Sequence, residues 1–160
     1  MTALEPLFLH GQFEVSVDAK NRMLVPAAIR RRIKPESHGA NFLMILGHNR
    51  KPWLYPDKFF EELVTEQKPV LTSGPAQANH DRMLATAELI EIDSQGRVLI
   101  PTRNMEWLGL KGVKDFYLLG CRHHLELWDK TEWEKERESM PARSMDILLA
   151  LLQSQKDKSP

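Results

Sequence analysis

One supersecondary unit occurs twice along the chain. Residues 12–34 align with residues 87–110 at an offset of 75 positions. After a two-residue difference in length, residues 42–55 are in turn similar to residues 115–128. The equivalent pairs are Val17 and Ile92, Asp18 and Asp93, Arg22 and Arg97, Leu24 and Leu99, Val25 and Ile100, and Pro26 and Pro101. A repeat of this kind restricts the fold to two copies of one unit, and by analogy with an isologous dimer it predicts a pseudo-two-fold arrangement.

Each copy begins with the pattern of a strand followed by a turn. Phe13, Val15 and Val17 alternate with polar residues, which is the periodicity of a half-buried strand. A turn is expected next in both copies, where Asn21 and Gly96 tolerate the left-handed backbone conformation.

A short apolar strand and a helix should follow each turn. The strands are expected at 23–25 and 98–100, and the proline after each strand suits the first turn of a helix. In the first copy the helix carries Ile29 and Ile33 on one face and stops before Pro35.

The rest of the chain is expected to be two more strand pairs, helices and a linker. The strands are expected near 42–46, 52–55, 115–119 and 125–128, and the helices near 56–67 and from 129 onward. Residues 68–79 contain Pro, Gly and Ser and are interpreted as a linker between the copies. Near the C-terminus, four apolar residues at helical spacing form a stripe: Met145, Leu148, Leu149 and Leu152. This stripe either packs on its own domain or contacts another subunit.

Composition excludes several protein classes. There are 22 basic and 22 acidic residues, so a polycationic nucleic-acid coat is excluded while a local basic patch is not. Cys121 is the single cysteine, which excludes an intrachain disulfide framework and a cysteine-based zinc site. The longest apolar runs, 42–46 and 147–152, are far shorter than the ~20 residues of a membrane span, and the N-terminus lacks a secretory pattern. We therefore expect a soluble cytoplasmic protein.

Local charge is uneven despite the overall neutrality. Residues 18–34 contain six basic residues and one acidic residue, whereas 93–111 contain three basic and two acidic residues. Residues 126–138 contain six acidic and three basic residues. The first copy is therefore the better candidate for phosphate contact.

The repeated motif resembles a known DNA-binding family. Asp-x-x-x-Arg followed by an apolar triplet and Pro, at 18–26 and again at 93–101, is similar to the swapped-hairpin motif of AbrB-type domains. Two such motifs, with Trp-Leu-Tyr-Pro at 53–56 and Leu-Glu-Leu-Trp-Asp-Lys at 125–130, resemble the MraZ family of bacterial transcriptional regulators over about residues 9–137.

The resemblance implies an α+β fold in which two tandem modules, related by pseudo-two-fold symmetry, form a double-split β-barrel with helices after each module. It divides the chain into a first SpoVT/AbrB-like module at 9–57, a helix and linker at 58–83, a second module at 84–130, and C-terminal helices and tail at 131–160.

The resemblance also implies a function that involves binding and no catalysis. Such a protein assembles into a ring and binds repeated boxes in double-stranded promoter DNA, upstream of its own operon of division and cell-wall genes, as a cytoplasmic, nucleoid-associated regulator. No membrane, cofactor, metal or small-molecule substrate is implied. The DNA-binding residues are expected to be Arg22, Arg97, Lys20, Asn21, Gln95, Arg30 and Arg31, with Asp18 and Asp93 orienting the motif arginines.

Some interpretations stay open at this stage. Each Asp–Arg pair could simply close a hairpin as an exposed ion pair, and the run 30–32 could be a solvated helix face. In the second copy Asn104 stands where the family usually has an apolar residue, and Met105 stands where it usually has a basic one. The second copy is therefore expected to contact DNA less than the first. The alternative function is an AbrB-type antitoxin-like module that binds a protein partner, and an enzyme with a cleft between the copies is the third hypothesis.

The remaining candidates for chemistry are weak in the sequence. His48, His123 and His124 suggest a metal site, but adjacent histidines in a strand point to opposite faces. Cys121 near His123 suggests a nucleophile, but no third orienting group is evident. No phosphate-binding glycine motif is present.

Overall fold

A computed structural model describes residues 3–66 and 74–158, and the chain divides into two compact units, residues 1–129 and 130–160. The first copy of the repeat and the helix after it contain seven elements. These are β1 (Leu9–Ser16), β2 (Arg22–Leu24), α1 (Ala27–Arg30), α2 (Pro35–His38), β3 (Phe42–Leu46), β4 (Pro52–Pro56) and α3 (Asp57–Thr65).

The second copy repeats the order of the strands. Its elements, with the helix that precedes it, are α4 (Pro75–Ala85), β5 (Glu88–Ile90), β6 (Arg97–Leu99), α5 (Thr102–Trp107), β7 (Asp115–Arg122) and β8 (His124–Asp129). The second unit contains the 27-residue helix α6 (Lys130–Lys156). The predicted turn-and-strand units are therefore present in both copies.

Strand pairing exchanges elements between the two copies. The six-stranded sheet has the order β1-β7-β8-β4-β3-β5, and β2 pairs with β6 in a separate two-stranded sheet. The first strand of each copy thus pairs with the third strand of the other, and the second and fourth strands each pair with their counterparts. All these pairs are antiparallel, so the fold is α+β with two interlocked modules. Among the described strands β1 and β5 remain as sheet edges, and no closed barrel is formed.

The core lies on the face of the sheet that carries the alternating apolar residues. Met44, Leu54, Leu118, Leu125 and Leu127 have no exposed surface. Because strand side chains alternate between faces, the residues between Leu125 and Leu127 and on either side of them emerge on the opposite face. The buried side chains come from both copies and form one cluster, so burial of this apolar surface holds the two modules together.

Two predicted segments differ from the structure. The helix after Pro26 was expected to reach Ile33, but α1 ends at Arg30, and Ile33 packs against the core from outside any helix. The linker expected at 68–79 is wrong for residues 75–79, which begin α4. Pro75 occupies the first helical position, where its missing N–H is tolerated, and so it starts a helix instead of marking a loop. Residues 68–73 of the expected linker lie outside the described residues.

The C-terminal apolar stripe lies on α6 and is not a core stripe. Met145, Leu148, Leu149 and Leu152 are between 48% and 62% exposed. Exposed apolar groups at helical spacing are typical of a helix that contacts another chain. The subunit-contact interpretation of this stripe therefore stays a prediction.

Candidate nucleic-acid interface

The turn between β1 and β2 is built around one carboxylate. The backbone N–H of Asn21 donates to the Asp18 carbonyl at 3.0 Å, which closes the turn. Oδ1 of Asp18 accepts the backbone N–H groups of Lys20 and Arg22, each at 2.9 Å. Oδ2 accepts the Nε–H of Arg22, also at 2.9 Å. A single side chain therefore fixes both the turn and the direction in which the arginine leaves it.

The turn between β5 and β6 repeats this arrangement. Oδ1 of Asp93 accepts the backbone N–H groups of Gln95 and Arg97, and Oδ2 accepts the Nε–H of Arg97, all at 2.9 Å. The backbone N–H of Gly96 closes this turn on the Asp93 carbonyl at 3.0 Å. The same spacing of Asp and Arg thus produces the same geometry in both copies.

The fourth residue of each turn adopts the left-handed conformation that the sequence indicates. Asn21 has φ +60° and Gly96 has φ +83°. The carbonyl of each of these residues accepts the backbone N–H of the other copy, from Ile100 to Asn21 at 2.8 Å and from Val25 to Gly96 at 2.9 Å. The last residue of each turn is therefore bonded to the residue that follows the second strand of the other copy, and the two turns lie at opposite ends of the β2–β6 pair.

The β2–β6 pair forms a ribbon with one buried and one exposed face. Met23 and Val98 face the core and are almost fully buried. On the other face, Arg22 lies opposite Leu99, and Leu24 lies opposite Arg97. Diagonal neighbours on one face of an antiparallel pair are roughly 7–8 Å apart, so the two arginines start from nearby points on one surface.

The motif carboxylates engage only the Nε–H group of each arginine side chain. Within residues 3–66 and 74–158, no protein group accepts a hydrogen bond from the Nη atoms of Arg22 or Arg97. Their side chains are 32% and 29% exposed. Backbone N–H donation from Arg22 is the main cause that holds the pKa of Asp18 below its ordinary value of 3.8, and Arg97 acts in the same way on the pKa of Asp93. Both carboxylates are therefore ionised at neutral pH.

Arg30 belongs to the first copy but lies against the turn of the second. Its Nε donates to the Val25 carbonyl at 2.9 Å. Its guanidinium passes so close to Gly96 that a Cβ atom there would lie 2.7 Å from Cζ of Arg30. Arg30, Asp93 and Gly96 also line one groove of about 260 Å³ with residues of both copies. In the structure the Arg30 side chain therefore adds a positive charge to the turn of the second copy, whose own segment has fewer basic residues.

The other predicted residues lie on different parts of the surface. Lys20 and Gln95 are exposed at the two turns, where their backbone N–H groups bind the motif carboxylates. Arg31 is also exposed, but it lines a separate groove beside Phe8 and His10. The structure therefore does not bring Arg31 to the turn that Arg30 contacts.

Two surface residues were missed in the sequence. Leu24 and Leu99 are 52% and 61% exposed on the outer face of the ribbon, beside the two arginines. Both residues belong to the apolar strands predicted at 23–25 and 98–100, for which no exposed face was predicted. The signal was present, because each lies two residues after the motif arginine and so on the same face of its strand.

The structure also regroups the candidates for metal binding and catalysis. The side-chain donors of Cys121, His124 and Glu126 lie within 4.8 Å of one another, whereas His48 packs edge-on against Trp53. Burial, followed by the Glu126 carboxylate, raises the pKa of the Cys121 thiol to about 12, so this thiol is protonated at neutral pH and is a poor nucleophile. The described helices include none that is long and apolar enough to cross a membrane.

Comparison with known proteins gives consistent matches over most of the chain. Residues 8–81 and 83–146 match the model of a family described as "MraZ protein, putative antitoxin-like". The "Transcriptional regulator MraZ" of Acetivibrio thermocellus is 32% identical over 146 residues, which cover 89% of this chain and 97% of that relative. The protein of the same name from Coxiella burnetii is 31% identical over 136 residues, covering 84% of this chain and 88% of that relative.

Proposed function

Because the chain belongs to the MraZ family, we propose that it is a transcriptional regulator that binds repeated promoter boxes, upstream of its own operon of division and cell-wall genes. The family is one of transcriptional regulators and not of enzymes. The partner is double-stranded DNA, so we propose a cytoplasmic location on the nucleoid.

The exposed face of the β2–β6 ribbon is the observation that carries this proposal. The major groove of B-DNA is about 12 Å wide and admits a two-stranded ribbon. Two arginines roughly 7–8 Å apart on that face span about two base-pair steps of 3.4 Å. Arg22 and Arg97 would therefore read neighbouring positions in one groove.

The motif carboxylates would select how each arginine contacts a base. Asp18 and Asp93 occupy the Nε–H groups, so the two Nη atoms are left as the donor pair. An end-on guanidinium matches O6 and N7 of guanine, and such a pair contributes roughly 1–3 kcal/mol of discrimination. Leu24 and Leu99 would add apolar contact with thymine methyl groups beside the arginines.

The remaining basic residues would hold the DNA backbone. Lys20 and Arg31 are exposed, and Arg30 carries a guanidinium to the second turn. Phosphate contacts of this kind position a protein without reading sequence. Asn21 and Gln95 lie in the turns, from which they would contact the groove edges.

We further propose that several copies form a ring in which the modules at 9–57 and 84–130 build double-split barrels, with the segment 58–83 between them and the helical tail at 131–160. A ring that presents many turns to repeated boxes gains avidity of about 10²–10⁴-fold when the geometry allows simultaneous contact. This gain would let a chain with no net charge bind DNA tightly.

Fluorescence anisotropy tests the proposal. The intact protein is titrated into DNA from upstream of its own gene and into scrambled DNA, at two salt concentrations. Specific binding should be lost in the double variant Arg22→Ala, Arg97→Ala. The salt slope of the parent protein counts its phosphate contacts at ~0.9 per contact. The matched control is Arg22→Lys, Arg97→Lys, which keeps both charges and removes the fork geometry, so it should retain binding to scrambled DNA while losing the preference.

One result would reverse the conclusion. A folded oligomer that binds no DNA would favour the antitoxin-like alternative, which the family description names and which the acidic segment 126–138 would serve by binding a basic protein. A monomer in sedimentation at working concentration would refute the ring.

A further inference from the structure

The β7–β8 hairpin brings three different metal-binding side chains together on one face. We propose that Cys121, His124 and Glu126 form a binding site for a divalent ion of the zinc class. The single cysteine excludes a zinc site built from several cysteines, but here it is joined by an imidazole and a carboxylate. The site is independent of the β2–β6 ribbon, so its test does not depend on DNA binding.

Strand register explains why these three residues converge. Cys121 on β7 is directly opposite His124 on β8, and Glu126 follows His124 by two residues. Residues that are opposite each other, or two apart on one strand, share a face of the sheet. The Sγ, ring-nitrogen and carboxylate-oxygen donors all lie within 4.8 Å of one another, so small rotations of the side chains would bring them onto one ion.

Neighbouring side chains orient the carboxylate. Oε2 of Glu126 accepts the indole N–H of Trp128 at 2.8 Å and the Nδ2–H of Asn49 at 3.1 Å. Its other oxygen, Oε1, lies 3.2 Å from Nε2 of His124. The hydrogen bonds from Trp128 and Asn49 fix Oε2, so Oε1 of Glu126 faces the histidine. Residues around a metal site commonly orient its ligands through hydrogen bonds of this kind.

The histidine ring is also held in place. Trp53 stacks on His124 with the ring centres 4.1 Å apart and an interplanar angle of 21°. The side chains of His124 and Glu126 are each only 13% exposed. A ligand that is ordered before binding loses little conformational entropy when the metal arrives.

The donor set selects the class of ion. One sulfur, one imidazole nitrogen and one carboxylate oxygen suit Zn²⁺, which takes all three ligand types at about 2.0–2.3 Å in a tetrahedral arrangement. Mg²⁺ and Ca²⁺ prefer sites made of oxygen alone. Binding breaks the Sγ–H bond and passes the proton to solvent, so the thiolate and the carboxylate together neutralise the divalent charge. Water would take the fourth position.

Cobalt is the probe, because Zn²⁺ has no visible spectrum and Co²⁺ takes the same ligands. Co²⁺ is titrated into the intact protein after treatment with chelator and reductant. We expect one equivalent to produce a thiolate-to-cobalt charge-transfer absorption that Zn²⁺ abolishes by competition. Zn²⁺ should also raise the thermal midpoint, since it binds the folded state. A folded, reduced protein with neither response would overturn the proposal.

Variants separate this site from adventitious histidine binding. Cys121→Ser should abolish the charge-transfer band, whereas His123→Ala, which changes the neighbouring histidine outside the cluster, should keep it. Asn49→Ala, which removes one donor to Glu126, should weaken cobalt binding by roughly 10–100-fold while keeping the band. A band that survives in Cys121→Ser, or that His123→Ala weakens as much as His124→Ala does, would contradict the assignment. Circular dichroism confirms that each variant is folded.

Discussion

Replacing Gly96 by Ala tests the contact that joins the two copies at the turn between β5 and β6. Gly96 has φ +83°, and an added Cβ would lie 2.7 Å from Cζ of Arg30 and 2.8 Å from its Nε. Alanine in the left-handed region costs roughly 1–2 kcal/mol. The Arg30 side chain must also move, which breaks its bond to the Val25 carbonyl at a further cost of roughly 0.5–1.5 kcal/mol.

Gly112→Ala separates these two costs. Gly112 has φ +81°, nearly the same as Gly96, but an added Cβ would meet nothing within 4 Å. Gly112→Ala should therefore lower the free energy of unfolding through the left-handed backbone conformation alone. We expect Gly96→Ala to lower the free energy of unfolding by about 0.5–1.5 kcal/mol more than Gly112→Ala does. For a chain of this length, each kcal/mol corresponds to about 2–4 °C in the thermal midpoint.

Urea unfolding at fixed protein concentration measures the difference, and an Arg30→Ala background checks its origin. In that background the clash and the hydrogen bond are already absent, so the two glycine variants should destabilise equally. Equal effects of Gly96→Ala and Gly112→Ala in the parent protein, or a difference that persists without Arg30, would refute the contact between Arg30 and the second turn.

Two further predictions concern acid stability and the core. Because folding holds the pKa of Asp18 and of Asp93 below 3.8, the stabilisation from these carboxylates is present above that pH and is lost as pH falls below it. The urea midpoint should therefore fall on acidification below about pH 4, and less steeply in the double variant Asp18→Asn, Asp93→Asn, whereas parallel acid limbs would contradict this. Leu54→Ala removes a fully buried side chain from the middle of β4 and should cost about 2–5 kcal/mol in calorimetry, and a loss below about 1 kcal/mol would show that the core relaxes around it.

Local signals were sufficient to predict the two turns. The spacing of Asp18 and Arg22, repeated at Asp93 and Arg97, placed each turn between two strands, and Asn21 and Gly96 indicated the left-handed position. These features depend on residues within five positions of one another, so a sequence pattern contains them. The family resemblance then supplied the expected interface.

Contacts between distant segments could not be predicted in the same way. Nothing near Arg30 in the sequence indicates that it packs on Gly96, since the approach depends on β2 pairing with β6. Cys121 and His124 were considered separately because their convergence depends on a two-residue connection that sets them opposite each other. Pro75 was assigned to the linker because a short stretch of sequence does not distinguish a proline that begins a helix from a proline in a loop.

Strand exchange changes what the uneven charge of the two copies means. A count along the chain assigns Arg30 to the first module and leaves the second turn with Arg97 as its nearest cation. In the folded protein Arg30 lies on Gly96, in the second turn, so its guanidinium and that of Arg97 serve the same end of the ribbon. The position equivalent to Arg30 in the second copy is Met105, which is buried, so this exchange of an arginine is not reciprocal. Lys111 and Lys114 of the second copy instead line the groove that contains Asn21 of the first turn. Because the attraction for phosphate depends on where charges lie in space, the second turn has more positive charge around it than its own segment of the sequence indicates.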